Sequence, residues 1–145
     1  MMRVASLGQL HLFKGRRQKP EAPPAASEFR LSVAVADTLR RCARKDWQWT
    51  HIGHGEMREA ATGERLKRMG LKPGWPDYIF ISPGGVAHFL ELKRKARGSN
   101  LTDAQAKFRD WCLAQSVPHA VARTYDEAIA IVTNWNVLRL EVKPQ

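Results

Sequence analysis

An α/β fold with a mixed central β-sheet flanked by helices is the architecture this sequence predicts, and three observations predict it. Apolar residues recur at helical spacing in four stretches and at strand spacing in four shorter ones, in the order helix, strand, helix, strand, strand, helix, strand, helix. The two central strands are separated only by Ser82-Pro83-Gly84-Gly85, a turn that makes them a hairpin. At 145 residues the chain is long enough for one domain with one core.

Residues 1–26 lack sustained periodicity. Lys14, Arg16, Arg17 and Lys19 lead into Pro20-Glu21-Ala22-Pro23-Pro24-Ala25-Ala26, a basic, flexible, proline-rich arm ahead of a domain spanning 27–145. It admits two readings, a tether to phosphates or a plain tail. Ser27 offers an N-cap for a helix to about Arg44, with Leu31, Val35, Leu39 and Cys42 as its apolar stripe. Arg40, Arg41, Arg44 and Lys45 near its end complement the helix dipole. Trp47 to Ile52 alternates as a strand, and Gly53-His54-Gly55 breaks it. Glu56 to Met69 reads as a basic amphipathic helix, weakened by Gly63 and closed by Gly70 at the C′ position.

Asp77 to Ile81 and Val86 to Lys93 form the hairpin. The next helix runs from about Thr102 to Gln115, where Thr102-Asp103-Ala104-Gln105 has the form of a capping box and Phe108, Trp111, Cys112 and Gln115 face the core. His119 to Arg123 is a strand, and Thr124-Tyr125-Asp126-Glu127 is a second capping box opening a helix to about Asn134. Cys42 and Cys112 sit in apolar helical patterns, as buried free thiols suited to a reducing cytoplasm. No apolar run is long enough to cross a bilayer.

Chemistry concentrates at the hairpin. Gly74-Trp75-Pro76 sets a rigid approach to Asp77, and Glu91-Leu92-Lys93 lies on the following strand. Strand alternation sends Glu91 and Lys93 to one face and Leu92 to the other, and Asp77 can close on that face from its neighbour. Two carboxylates supply hard oxygen ligands for a Mg²⁺-type ion, and a lysine beside them can orient an attacking water. The same residues also suit a salt bridge on a half-exposed strand. The basic stretch Lys93-Arg94-Lys95-Ala96-Arg97 and a net charge of +10 favour a polyanionic partner, nucleic acid first. His51 and His54 lack the second pair of ligands that a zinc site needs; a phosphate contact, a cleft wall or a simple loop role remain open.

Gly74, Pro76 and Asp77, then Glu91-Leu92-Lys93, then Leu101-Thr102 with Gln105, together resemble the VRR-NUC family of the PD-(D/E)xK nuclease superfamily. The resemblance spans Ser27 to Trp135 and implies a restriction-endonuclease-like core. It implies Asp77 and Glu91 as ligands of Mg²⁺ or Mn²⁺, the Leu92 carbonyl as a backbone ligand, and Lys93 as the residue positioning the water. Family members carry an acid on the first helix, which points to Glu28, although a first-turn acid also compensates the helix dipole. Gln105 is claimed by two roles, the active site and the capping box, and one amide does not easily serve both.

The function expected is hydrolysis of DNA phosphodiester bonds by a divalent-metal-dependent endonuclease, with Arg94, Lys95 and Arg97 holding the backbone. No base-reading helix pattern is present, so selectivity for branched DNA or four-way junctions is expected rather than for a base sequence. Stand-alone members of the family resemble junction-cleaving homodimers of phages and prophages, which implies a homodimer in a bacterial or phage-infected cytoplasm. Two rival readings are a non-catalytic DNA-binding module of the same fold and a nuclease acting on RNA or single strands.

Overall fold

The computed structural model describes residues 24–53, 60–96, 98 and 100–139. The elements follow the expected order: α1 (Pro24–Cys42), β1 (Gln48–His51), α2 (Ala60–Arg68), β2 (Tyr78–Ile81), β3 (Ala87–Leu92), α3 (Asp103–Ala114), β4 (His119–Ala122) and α4 (Tyr125–Asn134). The four strands form one mixed sheet in the order β1-β2-β3-β4. β1 and β2 pair antiparallel, as do β2 and β3, whereas β3 and β4 pair parallel. The two modes follow from the connections. Five residues, 82–86, suffice to turn β2 back as β3, and the Gly85 N–H closes that turn on the Ser82 carbonyl at 2.8 Å. A parallel partner needs a crossover, and α3 supplies it.

Each face of the sheet is covered. On one, Tyr78, Phe80, Leu90, Leu92 and Ala122 pack with Val35 and Leu39 of α1 and Ala128 and Val132 of α4. Burying each large side chain there stabilises the fold by about 1.5–3 kcal/mol. On the other face, Phe89 meets Trp75 and Phe108 edge-on, at ring distances of 5.8 and 5.1 Å, which seats α3 against the sheet. Leu92 thus enters the helical core while its neighbour Glu91 points to the α3 side, as the alternation predicts.

Several expectations need correction. α1 begins at Pro24, inside the expected linker, so Ser27 is within the helix and does not cap it. Proline is tolerated in a first helical turn, and Ala25 and Ala26 are strong helix formers. In consequence the first turn of α1 contains no acid, and dipole compensation does not account for Glu28. Gly63 lies inside α2, whose described part is Ala60–Arg68; positions 56–59 of the expected helix lie outside the described residues. Gly70, with φ +98°, ends that helix as expected, and the Leu71 N–H reaches back to the Leu66 carbonyl at 2.9 Å.

At α4, Thr124 accepts from the Glu127 N–H at 3.1 Å, but the Glu127 carboxylate bonds the Arg123 N–H, one residue earlier than a reciprocal box requires. Trp111 and Gln115 are exposed, because α3 rests on the sheet through Phe108 and Cys112 while these two lie at its margin. Both cysteines are free, Cys112 buried and Cys42 half-buried. The arm before residue 24, His54 and Arg97 lie outside the described residues.

Candidate active site

The site begins with a glycine that no other residue replaces without strain. Gly74 has φ +91°, and a Cβ there would stand 2.4 Å from the Ala104 carbonyl in the first turn of α3. The chain therefore runs flush against that helix before fully buried Pro76 fixes its direction. Asp77 follows, one residue ahead of β2, and its carbonyl accepts the Ile52 N–H at 2.6 Å. Tyr78 pairs with Leu90. Continued by one residue, that register sets Asp77 opposite Glu91.

Bonds at the end of β3 then close the two carboxylates on each other's surroundings. Asp77 Oδ2 accepts the Leu92 N–H at 2.7 Å. The Lys93 N–H turns the other way, to the Ala122 carbonyl at 2.9 Å. A strand residue sends its N–H and carbonyl to the same side, so the Leu92 carbonyl faces the Asp77 side of β3. Glu91 is only 3% exposed. Its Oε1 accepts from Gln105 Nε2 at 2.6 Å and stands 3.3 Å from Lys93 Nζ.

Gln105 makes both the cap bonds and a bond to Glu91. Its carbonyl Oε1 accepts the Thr102 N–H at 2.9 Å, and Thr102 Oγ1 accepts the Gln105 N–H at 3.3 Å, which completes the capping box. Its amide nitrogen remains for Glu91. The expected conflict fails because an amide has an acceptor end and a donor end, and the helix start and the carboxylate need one each.

Burial is the main reason that both carboxylates hold protons more tightly than usual. The Glu91 carboxyl is pushed up to about 7, first by burial and then by the Asp77 charge, with Lys93 opposing. Asp77 is raised by burial, against the Leu92 N–H, His51 and Lys93, which favour its ionised form. Glu28 adds negative potential to both groups. The half-buried acid on α1 is thus within electrostatic reach of the pair. Among the described residues, no three His, Cys, Asp or Glu side chains are gathered closely enough to form a metal cluster by themselves.

The donor set nevertheless fits a Mg²⁺-type ion. Such ions are held by one or two carboxylates and keep several waters, with substrate oxygens completing the shell. The bonds above engage Asp77 Oδ2 and Glu91 Oε1 and leave Asp77 Oδ1 and Glu91 Oε2 outside them. Two acids that repel each other in a buried place are stabilised by a cation between them.

Arg94 is half-buried and Lys95 exposed, just beyond Lys93. His51 pairs with Tyr78 across the β1–β2 ladder, and its ring meets Tyr78 edge-on at 5.1 Å. Its charge favours the ionised form of Asp77, so it lies within electrostatic reach of the pair. The close approach of Gly74 to Ala104 is a feature sequence reasoning missed. The only signal was the glycine itself, and its partner is thirty residues away.

No family model matches the chain. No curated protein matches it in sequence either. Solved structures do match in shape. One named "VRR_NUC domain protein" aligns with a TM-score of 0.60 and 21% identity, over 77% of this chain and 88% of its own. Another, named "VRR_NUC domain", aligns with a TM-score of 0.51 and 14% identity, over 74% of this chain and 96% of its own. The resemblance carried by the Gly74–Asp77 and Glu91–Lys93 motifs is therefore matched by the architecture around them, and the chain has the restriction-endonuclease-like α/β fold of VRR_NUC domains.

Proposed function

We propose that the protein is a divalent-metal-dependent endonuclease that hydrolyses DNA phosphodiester bonds. The observation that carries this reading is that Asp77 falls opposite Glu91 at the end of the hairpin, with Asp77 held by the Leu92 N–H and Lys93 Nζ 3.3 Å from Glu91. Asp77, Glu91 and the Leu92 carbonyl would hold Mg²⁺ or Mn²⁺. When bound, such an ion supplies Lewis-acid charge at the phosphoryl oxygen.

The chain's own residues do the rest. Gln105 fixes the rotamer of Glu91 and is itself fixed by the cap of α3. Lys93 holds the attacking water in line and offsets negative charge developing on the phosphoryl group. Burial of Glu91 excludes bulk water from one side of the reaction. Glu28 adds negative potential that draws the cation in. Arg94, Lys95 and Arg97 would hold backbone phosphates, which positions the strand without reading its bases.

Selectivity for branched DNA and action as a homodimer in a bacterial or phage-infected cytoplasm belong to the same proposal and rest on the family resemblance. Among the described residues no helix is long and apolar enough to cross a membrane.

A cleavage panel tests the reading: linear duplex, flap, four-way junction, single strand and RNA, each with Mg²⁺, Mn²⁺ or EDTA. Cleavage of the junction in preference to duplex, with symmetric nicks and loss in EDTA, is the expected result. Asp77→Asn should abolish it while DNA binding persists. Lys93→Ala should slow it by about 10²–10³-fold. Nucleic-acid binding without cleavage under any ion would favour a non-catalytic module, and cleavage confined to RNA would replace the substrate.

A further inference from the structure

We infer that the cleft between α3 and β4 binds a backbone phosphate of the substrate strand adjacent to the scissile one, through Arg109 and Arg123. The inference rests on the nuclease reading above and adds a substrate subsite to it. The cleft is open, with a volume of about 630 Å³, and Asn100, Arg109, Val121, Arg123 and Glu127 line it.

Its position ties it to the chemistry. Val121 is the register partner of Glu91 across the parallel β3–β4 pair, so the cleft begins on the next strand, one strand spacing of about 4.8 Å from the backbone of Glu91 and on the same face of the sheet. Arg123 Nη1 reaches the carbonyl of Arg94, directly after Lys93, at 3.5 Å. A nucleic-acid strand carries one charge per roughly 3.4 Å of helix axis. A phosphate neighbouring the one at Asp77 and Glu91 therefore falls within reach of this cleft.

Its chemistry suits that occupant. Arg109 of α3 and Arg123, just after β4, both line it, and a guanidinium presents forked donors that match phosphate oxygens. Arg109 is held in place by Nε and Nη2 bonds to Asp110 Oδ1 at 3.1 and 2.9 Å. That pair is exposed on both sides, so a phosphate competes with it under solvent screening. The one acid in the lining, Glu127, bonds the Arg123 N–H at 2.7 Å in the first turn of α4, where the helix dipole offsets its charge. Asn100 adds an amide donor at the rim. The other basic cleft, lined by Arg44, Lys45 and Arg139, lies toward the start of β1, at the opposite end of the sheet from Asp77.

Binding can be read without turnover, in the Asp77→Asn background, by fluorescence anisotropy of labelled DNA between roughly 50 and 200 mM salt. Replacing Arg109 and Arg123 together by Gln should weaken binding about tenfold and reduce the slope of log affinity against log salt by about one. Replacing both by Lys should keep the slope. Lys45→Gln, in the opposite cleft, should leave it nearly unchanged.

DNA carrying one neutral methylphosphonate linkage at a time locates the contact. A single position beside the scissile bond should cost the Arg-containing protein affinity and cost the Gln variant nothing further. Should the double variant fail to fold by circular dichroism, Arg109→Gln alone carries the same comparison. An unchanged slope, an equal loss from Lys45→Gln, or equal methylphosphonate penalties in both proteins overturns the inference while leaving the nuclease reading intact. If the protein neither binds nor cleaves nucleic acid, the nuclease reading falls and this subsite falls with it.

Discussion

Glu91→Gln, studied without metal, should change how stability depends on pH more than stability itself. The Glu91 carboxyl rises from its ordinary 4.5 to about 7 in the folded protein. The folded state therefore prefers the protonated acid. This contribution is fully present below about 4.5, is lost progressively as pH rises through 7, and is absent above. At about 1.4 kcal/mol per pH unit, the whole swing is about 3 kcal/mol.

Glutamine keeps the carbonyl that accepts from Gln105 Nε2 and removes the charge. Its stability should be nearly flat where the wild type falls. The measurement is urea unfolding in EDTA from pH 5 to pH 8 for both proteins. The difference between the curves isolates Glu91 from the other titrating groups. At pH 8, Mg²⁺ at about a hundred times its Kd should restore about 2.7 kcal/mol to the wild type and much less to the variant. Parallel stability curves would refute the reasoning, because they would mean that Glu91 is not held in a site that penalises its charge.

Three further perturbations address the supports of the site. Gly74→Ala should destabilise the fold by at least about 2 kcal/mol, since φ +91° and a Cβ 2.4 Å from a main-chain carbonyl allow no relief by side-chain motion; an unchanged Tm would show that the approach of this segment to α3 is looser than described. Gln105→Glu keeps an acceptor for the Thr102 N–H but sets a carboxylate against Glu91, so circular dichroism should show α3 retained while cleavage falls about tenfold or more; equal activity would assign Gln105 to the cap alone. Glu28→Gln should lower cleavage and apparent Mg²⁺ affinity with a Tm change of only a few degrees, and normal activity with normal metal affinity would remove Glu28 from the site.

Much of this was legible along the chain because it depended on local rules. Element order followed from apolar periodicity, and the β2–β3 hairpin from a four-residue turn rich in proline and glycine. Adjacent register and side-chain alternation placed Glu91 and Lys93 together on one face, and the capping box at Thr102 marked the start of α3. Local propensity misled where two signals competed. Pro20 to Ala26 reads as a linker by composition, yet a proline in the first turn followed by alanines begins a helix, and Glu28 moved out of the first turn as a result.

What the sequence by itself determined was therefore where the acids and their partners sit: Asp77, Glu91 and Lys93 at the hairpin, Gln105 at a helix start. Only the tertiary structure decided how they act on one another. Burial at 3% exposure sets the proton affinity of Glu91, and burial is a property of the packed whole. The double use of the Gln105 amide required α3 to cross over β3 at one angle and distance, which the contact of Gly74 with Ala104 enforces. That Arg109 and Arg123 line one cleft with Val121, the register partner of Glu91, depends on β4 pairing parallel to β3 in one register. Such long-range pairings leave no periodic trace in the chain, because the energy that selects them is the burial of many residues at once.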